Sequence, residues 1–241
     1  MSDFHQNGVV TTLHNIGNRS LHELETELTS FGRHRPLGLI LPSLYSELKT
    51  EAMPRILEEL KRVPYLSQVV IGLDRADEAE YRDARQFFSE LPQNHVVLWN
   101  DGPRLRALDE QLRAMDLAPT EMGKGRNVWY CMGYALASGA AESIALHDCD
   151  ILTYHRSLLA RLLYPVANPR FQYEFCKGYY PRFARGKLNG RVSRLFVTPL
   201  LRALKQVCGY SDYLEFMDSF RYPLAGEFSF RRDVMVDLRI P

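Results

Sequence analysis

The chain has 241 residues, of which 46% are hydrophobic and 24% charged, the balance of an ordinary globular protein with one large domain or one domain and a small appendage. Thirty Lys and Arg residues against 29 Asp and Glu residues give a net charge of +1, which argues against general binding to nucleic acid or to acidic membranes. The apolar segments are too short to cross a membrane, and the first residues are too polar for a signal peptide. We therefore expect a cytoplasmic protein. Its four cysteines are expected to be reduced and buried.

Strands and helices are predicted to alternate from about residue 37. The predicted strands span residues 37–41, 69–73, 95–99 and 143–146. The predicted helices between them span residues 76–91, 103–115 and 127–137. This alternation indicates an α/β fold: a doubly wound, Rossmann-like, mainly parallel sheet with helices on both faces.

The pattern changes after residue 150. An aromatic, strand-like stretch at 171–180 is followed by a basic segment at 182–187. A helix is predicted at 192–207, and a last strand is predicted to end at Phe230. Residues 21–28 are also expected to be helical.

Polar side chains follow each of the four predicted parallel strands. They are Ser43 directly after Pro42, Asp74, Asn100 with Asp101, and the pair Asp148 and Asp150. In open parallel sheets the carboxyl ends of the strands share one edge, and ligands bind beyond that edge. We therefore expect these groups to converge on one binding site.

Asp148 and Asp150 stand two positions apart, directly after an apolar strand. Two such carboxylates can bind one hard divalent cation, which also accepts phosphate oxygens. Asp-x-Asp occurs by chance and in turns as well, but its place at a strand end favours a Mg²⁺ or Mn²⁺ site here.

The second motif, which suits an anion, is Gly123-Lys124-Gly125, before a predicted helix. Glycines let the backbone approach a phosphate closely, and a helix N-terminus favours negative charge. The spacing is not that of a Walker loop, and a solvated turn is the alternative. Ser43, Glu47 and Asp74 either cap helices or contact the base and ribose of a nucleotide.

The second half of the chain carries a basic cluster and an unusual glutamate. Gly190, Arg191 and Ser193 begin a predicted helix and suit a phosphate or carboxylate, with Lys177, Arg182 and Arg185 upstream; an exposed basic face is the alternative. Glu227 stands between apolar residues, where a glutamate is either functional or turned to solvent.

The order of these motifs resembles that of glucosyl-3-phosphoglycerate synthases, which are retaining glycosyltransferases of the GT-A fold. The resemblance covers residues 37–230 and rests on Leu41-Pro42-Ser43 with Glu47, Gly123-Lys124-Gly125, Asp148-Cys149-Asp150, Lys177-Gly178-Tyr179-Tyr180, Gly190-Arg191-Val192-Ser193 and Leu224-Ala225-Gly226-Glu227.

The resemblance implies transfer of glucose from UDP-glucose or GDP-glucose to 3-phosphoglycerate, with Mg²⁺ or Mn²⁺ as cofactor. Asp150 and Asp148 would bind the metal, and Glu227 and Asp150 would be catalytic. The donor would be held by Pro42, Ser43, Glu47, Asp74, Gly123, Lys124 and Asp148. The acceptor would be held by Lys177, Gly190, Arg191 and Ser193.

The resemblance also implies a division of the chain and a quaternary state. Residues 1–36 would be an N-terminal extension, 37–150 the nucleotide-sugar-binding half, and 151–241 the acceptor-binding part, which we expect to be shortened at its C-terminus. Partners would be the two substrates, with neither nucleic acid nor membrane, and a homodimer is the family expectation.

Two departures leave alternatives open. The family's first strand motif often reads Ala-Leu-Asn-Glu after the proline, whereas Ser43-Leu44-Tyr45-Ser46-Glu47 stands here, so the base preference is undetermined. The family also has a metal-binding histidine beyond the Gly-Glu motif, which this sequence lacks. A mannosyl donor, a glycerate-type acceptor and a non-catalytic sugar-nucleotide-binding module therefore remain alternatives. The low glycine density after the first strand argues against a nucleotidyltransferase, and the missing Gly-x-Gly-x-x-Gly argues against a dinucleotide-dependent oxidoreductase.

Overall fold

The computed structural model describes residues 9–13, 19–119, 121–179, 183–184, 187–188 and 191–238. The chain forms two compact units. The larger unit comprises Ser20–Cys176 and Glu227–Pro241, and the smaller comprises Met1–Arg19 and Lys177–Gly226. None of the described helices is long and apolar enough to cross a membrane.

The larger unit is organised around a six-stranded sheet. Its strands are β1 (Leu37–Leu44), β2 (Leu66–Asp74), β3 (His95–Trp99), β4 (Ser143–Leu146), β5 (Phe175–Lys177) and β8 (Phe228–Arg231), in the order β3-β2-β1-β4-β8-β5. Strands β1 to β4 pair in parallel and β8 runs antiparallel to β4. The predicted mainly parallel α/β sheet is confirmed.

Among the described residues of the larger unit, six α-helices precede β5 and a seventh follows β8. They are α1 (Leu21–Gly32), α2 (Ala52–Leu60), α3 (Glu78–Phe88), α4 (Pro103–Ala114), α5 (Lys124–Ser138), α6 (Arg156–Ala167) and α9 (Arg232–Asp237). The smaller unit contains α7 (Thr198–Cys208), α8 (Asp212–Asp218), a π-helical turn at Ser193–Val197, and the paired strands β6 (Phe183–Ala184) and β7 (Lys187–Leu188).

Helices cover both faces of the sheet. Successive strand residues point to opposite sides, so neighbours on one strand contact different helices. Ile144 and Phe230 belong to the apolar cluster that packs against α5. Their neighbours Ser143 and Ser229 point the other way, and their hydroxyls donate to the carbonyls of Val166 and Leu162 in α6.

Strand β1 is longer than the sequence predicted, since it continues past Pro42 to Leu44. The reason lies in the neighbouring strand. The paired register of β4 ends at Leu146, opposite Ile40, whose carbonyl accepts from the amide of His147. Pro42, two residues after Ile40, turns its backbone toward the same side. Because β4 has already ended there, the N–H that proline lacks would have had no partner in the sheet.

Three further predictions from the sequence were wrong in detail. Helix α5 begins at Lys124, one turn before the predicted residue 127. Of the strand-like stretch at 171–180, only Phe175–Lys177 pairs in the sheet. Cys131 and Cys149 are buried as expected, but Cys208 is exposed at the end of an amphipathic helix.

Candidate functional site

The candidate site lies where the strand order reverses. Strand β1 has β2 on one side and β4 on the other, and in such sheets this switch point forms the ligand crevice. Ser43, near the end of β1, is buried and its hydroxyl donates to the Leu44 carbonyl at 3.0 Å. Glu47 follows in a short 3₁₀ turn, and Asp148 and Asp150 follow β4.

Glu47 lies close enough to the aspartate pair to be affected by its charge. Its Oε2 accepts from the Leu44 amide at 2.9 Å. Burial raises the pKa of Glu47, and the negative charges of Asp150 and Asp148 raise it further. The three carboxylates therefore share one region of negative potential, which a divalent cation would neutralise.

The residues present fit a metal that is shared with a substrate. Asp150 is exposed and Asp148 is partly exposed, so both can reach a ligand. No group of three metal-binding side chains occurs within the described ranges. A pair of carboxylates suits Mg²⁺ or Mn²⁺, because such ions are usually bound by one or two carboxylates together with substrate phosphates and water.

The N-terminus of α5 lies beside the aspartate pair. The ammonium of Lys124 forms an ion pair with the Asp148 carboxylate. Gly123 precedes the helix with φ of 155°, and a Cβ there would meet no atom within 4 Å. Only glycine adopts this backbone conformation readily, and it leaves the first amides of the helix open to an anion.

A second polar cluster lies at the ends of β2 and β3. Arg126, in the first turn of α5, brings its Nη2 to 3.8 Å from Asp74 Oδ1, and the buried Asn100 follows β3. Burial raises the pKa of Asp74; the charge of Asp101 raises it too, while Arg126 opposes both effects. Sequence reasoning missed Arg126, because an arginine in a first helical turn does not indicate which strand end it faces.

The sheet also brings Glu227 to this edge. Because β8 is antiparallel to β4 and pairs Phe228 with Leu146, the residue before β8 lies next to the residue after β4, His147. Glu227 is 1% exposed, and its Oε2 makes no hydrogen bond among the described residues. His147 is fully buried, and burial lowers its pKa to about 3, so its ring is neutral in the folded protein.

The predicted acceptor residues belong to the smaller unit. The ammonium of Lys177 donates to the Ala225 carbonyl at 2.7 Å. Arg191 is exposed, and Ser193 is buried with no hydrogen bond to its hydroxyl among the described residues. The predictions for Gly190, and for Arg182 and Arg185 upstream, fall outside the described residues. The structure therefore groups the donor and metal residues in one unit and leaves the acceptor residues in the other.

The sheet order, the switch point between β1 and β4, and the carboxylates that follow β4 define the class of α/β proteins to which GT-A glycosyltransferases belong. The fold predicted from the sequence is thus confirmed.

Two glucosyl-3-phosphoglycerate synthases are similar in sequence to the whole of this chain. A glucosyl-3-phosphoglycerate synthase of Persephonella marina is 50% identical over 240 residues, which is 100% of this chain and 59% of that protein. The synthase of Methanococcoides burtonii is 37% identical over 243 residues, 99% of this chain and 59% of the relative. The resemblance drawn from the motifs is confirmed along the whole chain, which spans about three-fifths of these relatives. No family model matches the chain.

Solved structures agree on the fold. A glucosyl-3-phosphoglycerate synthase from Mycobacterium tuberculosis, in complex with Mn²⁺, UDP and glucosyl-3-phosphoglycerate, superposes with a TM-score of 0.61 at 18% identity. The match covers 94% of this chain and 66% of that one. A complex of the same synthase with Mn²⁺ and UDP-glucose gives a TM-score of 0.58 at 19% identity, over 89% of this chain and 62% of the other. At these identities the likeness concerns the fold alone.

Proposed function

We propose that this chain carries the donor site of a metal-dependent glycosyltransferase that moves glucose from a nucleoside diphosphate glucose to D-3-phosphoglycerate with retention. The observation that carries the proposal is the meeting of Asp148, Asp150 and Lys124 at the switch point of the sheet. Similarity to two curated synthases over the whole chain supports it.

The diphosphate of the donor is assigned to the N-terminus of α5. There the open amides after Gly123 and the ammonium of Lys124 stabilise the negative charge that grows as the bond to the sugar breaks. Asp148 and Asp150 would hold Mg²⁺ or Mn²⁺, which, when bound, neutralises the same charge. In the free chain Lys124 pairs with Asp148, so the ammonium is already positioned beside the diphosphate subsite.

Glu227 is assigned to the donor glucose. Its carboxylate is buried beside the end of β4, and its Oε2 is available to accept from a sugar hydroxyl. Retention needs no covalent nucleophile here. The acceptor hydroxyl attacks on the face that the diphosphate leaves, the bond to the sugar breaks, and the departing diphosphate takes the proton of that hydroxyl.

The acceptor is assigned to Lys177, Gly190, Arg191 and Ser193. A substrate with two anionic groups, such as 3-phosphoglycerate, would account for basic residues at Lys177 and Arg191, whereas an uncharged acceptor would not require them. The homodimer stays a prediction, which sedimentation equilibrium would test.

Calorimetric titration of UDP-glucose and GDP-glucose, with and without Mn²⁺, tests the donor site. We expect metal-dependent binding that weakens at least about tenfold in Asp150→Asn, because one of the two carboxylate ligands is lost. Asp116→Asn is a matched control, since Asp116 is exposed and has a φ of 54° that asparagine also adopts.

Transfer to the acceptor needs its own assay. With 3-phosphoglycerate present, release of nucleoside diphosphate and formation of an α-linked product would support the full proposal. Donor binding without transfer would favour a non-catalytic sugar-nucleotide-binding module. Absence of donor binding in a folded chain would refute the donor site itself.

A further inference from the structure

Strand β3 forms one edge of the six-stranded sheet. It is the first strand in the sheet order, and among the described strands it pairs with β2 alone. The amide of Asn100, one residue past β3, donates to the Leu73 carbonyl of β2 at 2.9 Å. Backbone groups alternate in direction along a strand, so the even-numbered residues of β3 turn theirs toward β2. The odd-numbered residues turn theirs away from the sheet: His95, Val97 and Trp99.

Helix α3 forms one wall of a groove along this open edge. Tyr81, Arg85 and Ser89 follow one another at intervals of four residues, a rise of about 6 Å per interval. Alternate residues of a strand lie about 6.6 Å apart, so these helix positions keep step with the odd-numbered residues of β3. At one end of the groove the rings of Tyr81 and Trp99 stack, with their centroids 4.8 Å apart.

A cavity of about 400 Å³ lies in this groove. The residues that line it are Tyr81, Arg85, Ser89, His95, Val96 and Val97. The Val96 side chain packs on the other face of the sheet, against the apolar cluster of α5, so the cavity reaches the backbone at the strand edge. The groove thus offers both strand backbone and space for a side chain, as sites that bind an extended peptide do.

The charge that borders the cavity is positive. Arg85 is exposed and forms no ion pair among the described residues, and its guanidinium carbon lies 5.9 Å from the centre of the Tyr81 ring. The carboxylates on α3 and in the turn after it are engaged elsewhere. Their partners are Arg82 for Glu78, the Asp77 amide for Glu80, the Tyr45 hydroxyl for Asp83 and Lys61 for Glu90. An anion that enters the groove therefore meets Arg85 without competition from its own helix.

We propose that the edge of β3 is a docking site for an extended, acidic peptide segment of a partner protein. The segment adds to the sheet as a further strand, and its backbone pairs with His95 and Val97. The pairing ends at Trp99, whose carbonyl already accepts from the Gly102 amide at 3.0 Å. One carboxylate of the segment enters the cavity and binds Arg85.

A second copy of this chain fits the edge less well. A two-fold pairing of β3 with another β3, centred on Val97, would bring two Arg85 side chains together. Like charges that face each other across paired strands are destabilising. The charge of the groove therefore favours an acidic partner over self-association.

Fluorescence anisotropy with a labelled, end-blocked peptide tests the inference. The peptide Thr-Val-Thr-Glu-Thr-Val-Thr places its glutamate and both valines on one face when it is extended. It should bind saturably, and the same peptide with glutamine for glutamate should bind about fivefold more weakly, as expected for an accessible charge pair.

Two N-methylated peptides test for strand pairing. One carries N-methyl groups on the two valines and the glutamate, and the other carries them on the threonines. A strand pairs with β3 through one of its two edges, so one of these peptides should lose binding and the other should keep it. Loss in both, or in neither, would contradict strand addition.

Variants of the protein locate the site. Arg85→Gln should weaken the glutamate peptide about fivefold and leave the glutamine peptide unchanged, a difference that misfolding cannot produce. Arg82→Gln is the matched control on the same helix and should change neither, because Arg82 pairs with Glu78. Val97→Pro should abolish binding, since it removes an outward N–H that the sheet does not use. Should Val97→Pro not fold, the methylated peptides decide the pairing.

Three results would overturn the proposal. They are no binding of the glutamate peptide at millimolar concentration, equal affinity for the glutamate and glutamine peptides, and an Arg85→Gln variant that binds both peptides as the unchanged protein does. Self-association in sedimentation equilibrium that Val97→Pro removes would overturn it too, because the edge would then belong to a second copy.

Discussion

Replacing Gly72 by alanine should destabilise the larger unit, because this glycine lets α5 lie directly on β2. A Cβ at Gly72 would stand 1.7 Å from the Asn127 Oδ1 and 2.5 Å from the Cys131 Sγ. Both side chains are buried, and the Asn127 amide donates to the carbonyl of Gly72 itself at 2.9 Å. The added methyl group must therefore move α5 or turn Asn127 away from its hydrogen bond.

The cost can be worked from these two contacts. Overpacking a well-packed core costs about 1–3 kcal/mol. Leaving buried hydrogen-bonding groups unsatisfied costs about 1–3 kcal/mol. The two losses occur at one contact and are not additive, so we expect the free energy of unfolding to fall by about 3 kcal/mol.

Urea unfolding followed by tryptophan fluorescence measures this change, since both tryptophans, Trp99 and Trp129, belong to the larger unit. Gly133→Ala is the matched control. Gly133 lies within α5, and a Cβ there would meet nothing within 4 Å, so alanine should stabilise the helix by about 1 kcal/mol. If Gly72→Ala were as stable as the unchanged protein, the described packing of α5 on β2 would be refuted.

Substitutions at three further positions address acid stability, a helix cap and the anion site. The pKa of His147 is lowered from 6.5 to about 3, so the stability that its neutral ring contributes is present above pH 6.5 and is lost as pH falls toward 3. His147→Leu should therefore lose less stability than the unchanged protein between pH 7 and pH 4 in urea titrations. Equal losses in the two proteins would contradict the burial of the ring. Ser20→Ala removes a capping box with Glu23 and should lower the unfolding free energy by about 1 kcal/mol, whereas Ser20→Asp should keep it. Gly123→Ala forces a side chain into a backbone conformation with φ of 155°. It should weaken GDP binding severalfold in calorimetry, with little change in secondary structure by circular dichroism. Unaltered affinity would argue against diphosphate binding at the N-terminus of α5.

Short apolar runs predicted the central sheet well, because strands buried on both faces are apolar along their whole length. Strand β3 (His95–Trp99) and strand β4 (Ser143–Leu146) have the predicted limits. Strand β1 was predicted too short because proline usually ends a strand. Its tolerance of Pro42 depends on where β4 stops, which only the pairing of strands distant in sequence determines.

The meeting of Asp148 and Lys124 could be predicted because strand ends and helix starts are local signals. The approach of Arg126 to Asp74 could not, since an arginine in a first helical turn gives no indication of which strand end it faces. Likewise, the burial of Glu227 depends on β8 entering the sheet beside β4, and no local pattern reveals that antiparallel pairing.

The path of the chain around β5 and β8 has a consequence for how this molecule can diverge. The chain leaves the sheet after β5 and returns to it at the adjacent strand β8, where the Arg231 amide donates to the Glu174 carbonyl. The intervening segment of the smaller unit is therefore a single excursion whose two ends are fastened together by strand pairing. Its length and sequence can vary at little entropic cost without moving Glu227 or the aspartate pair, because loop closure depends only weakly on loop length. Under the assignments proposed above, recognition of a different acceptor could thus evolve in the excursion while the proposed donor site stays in place.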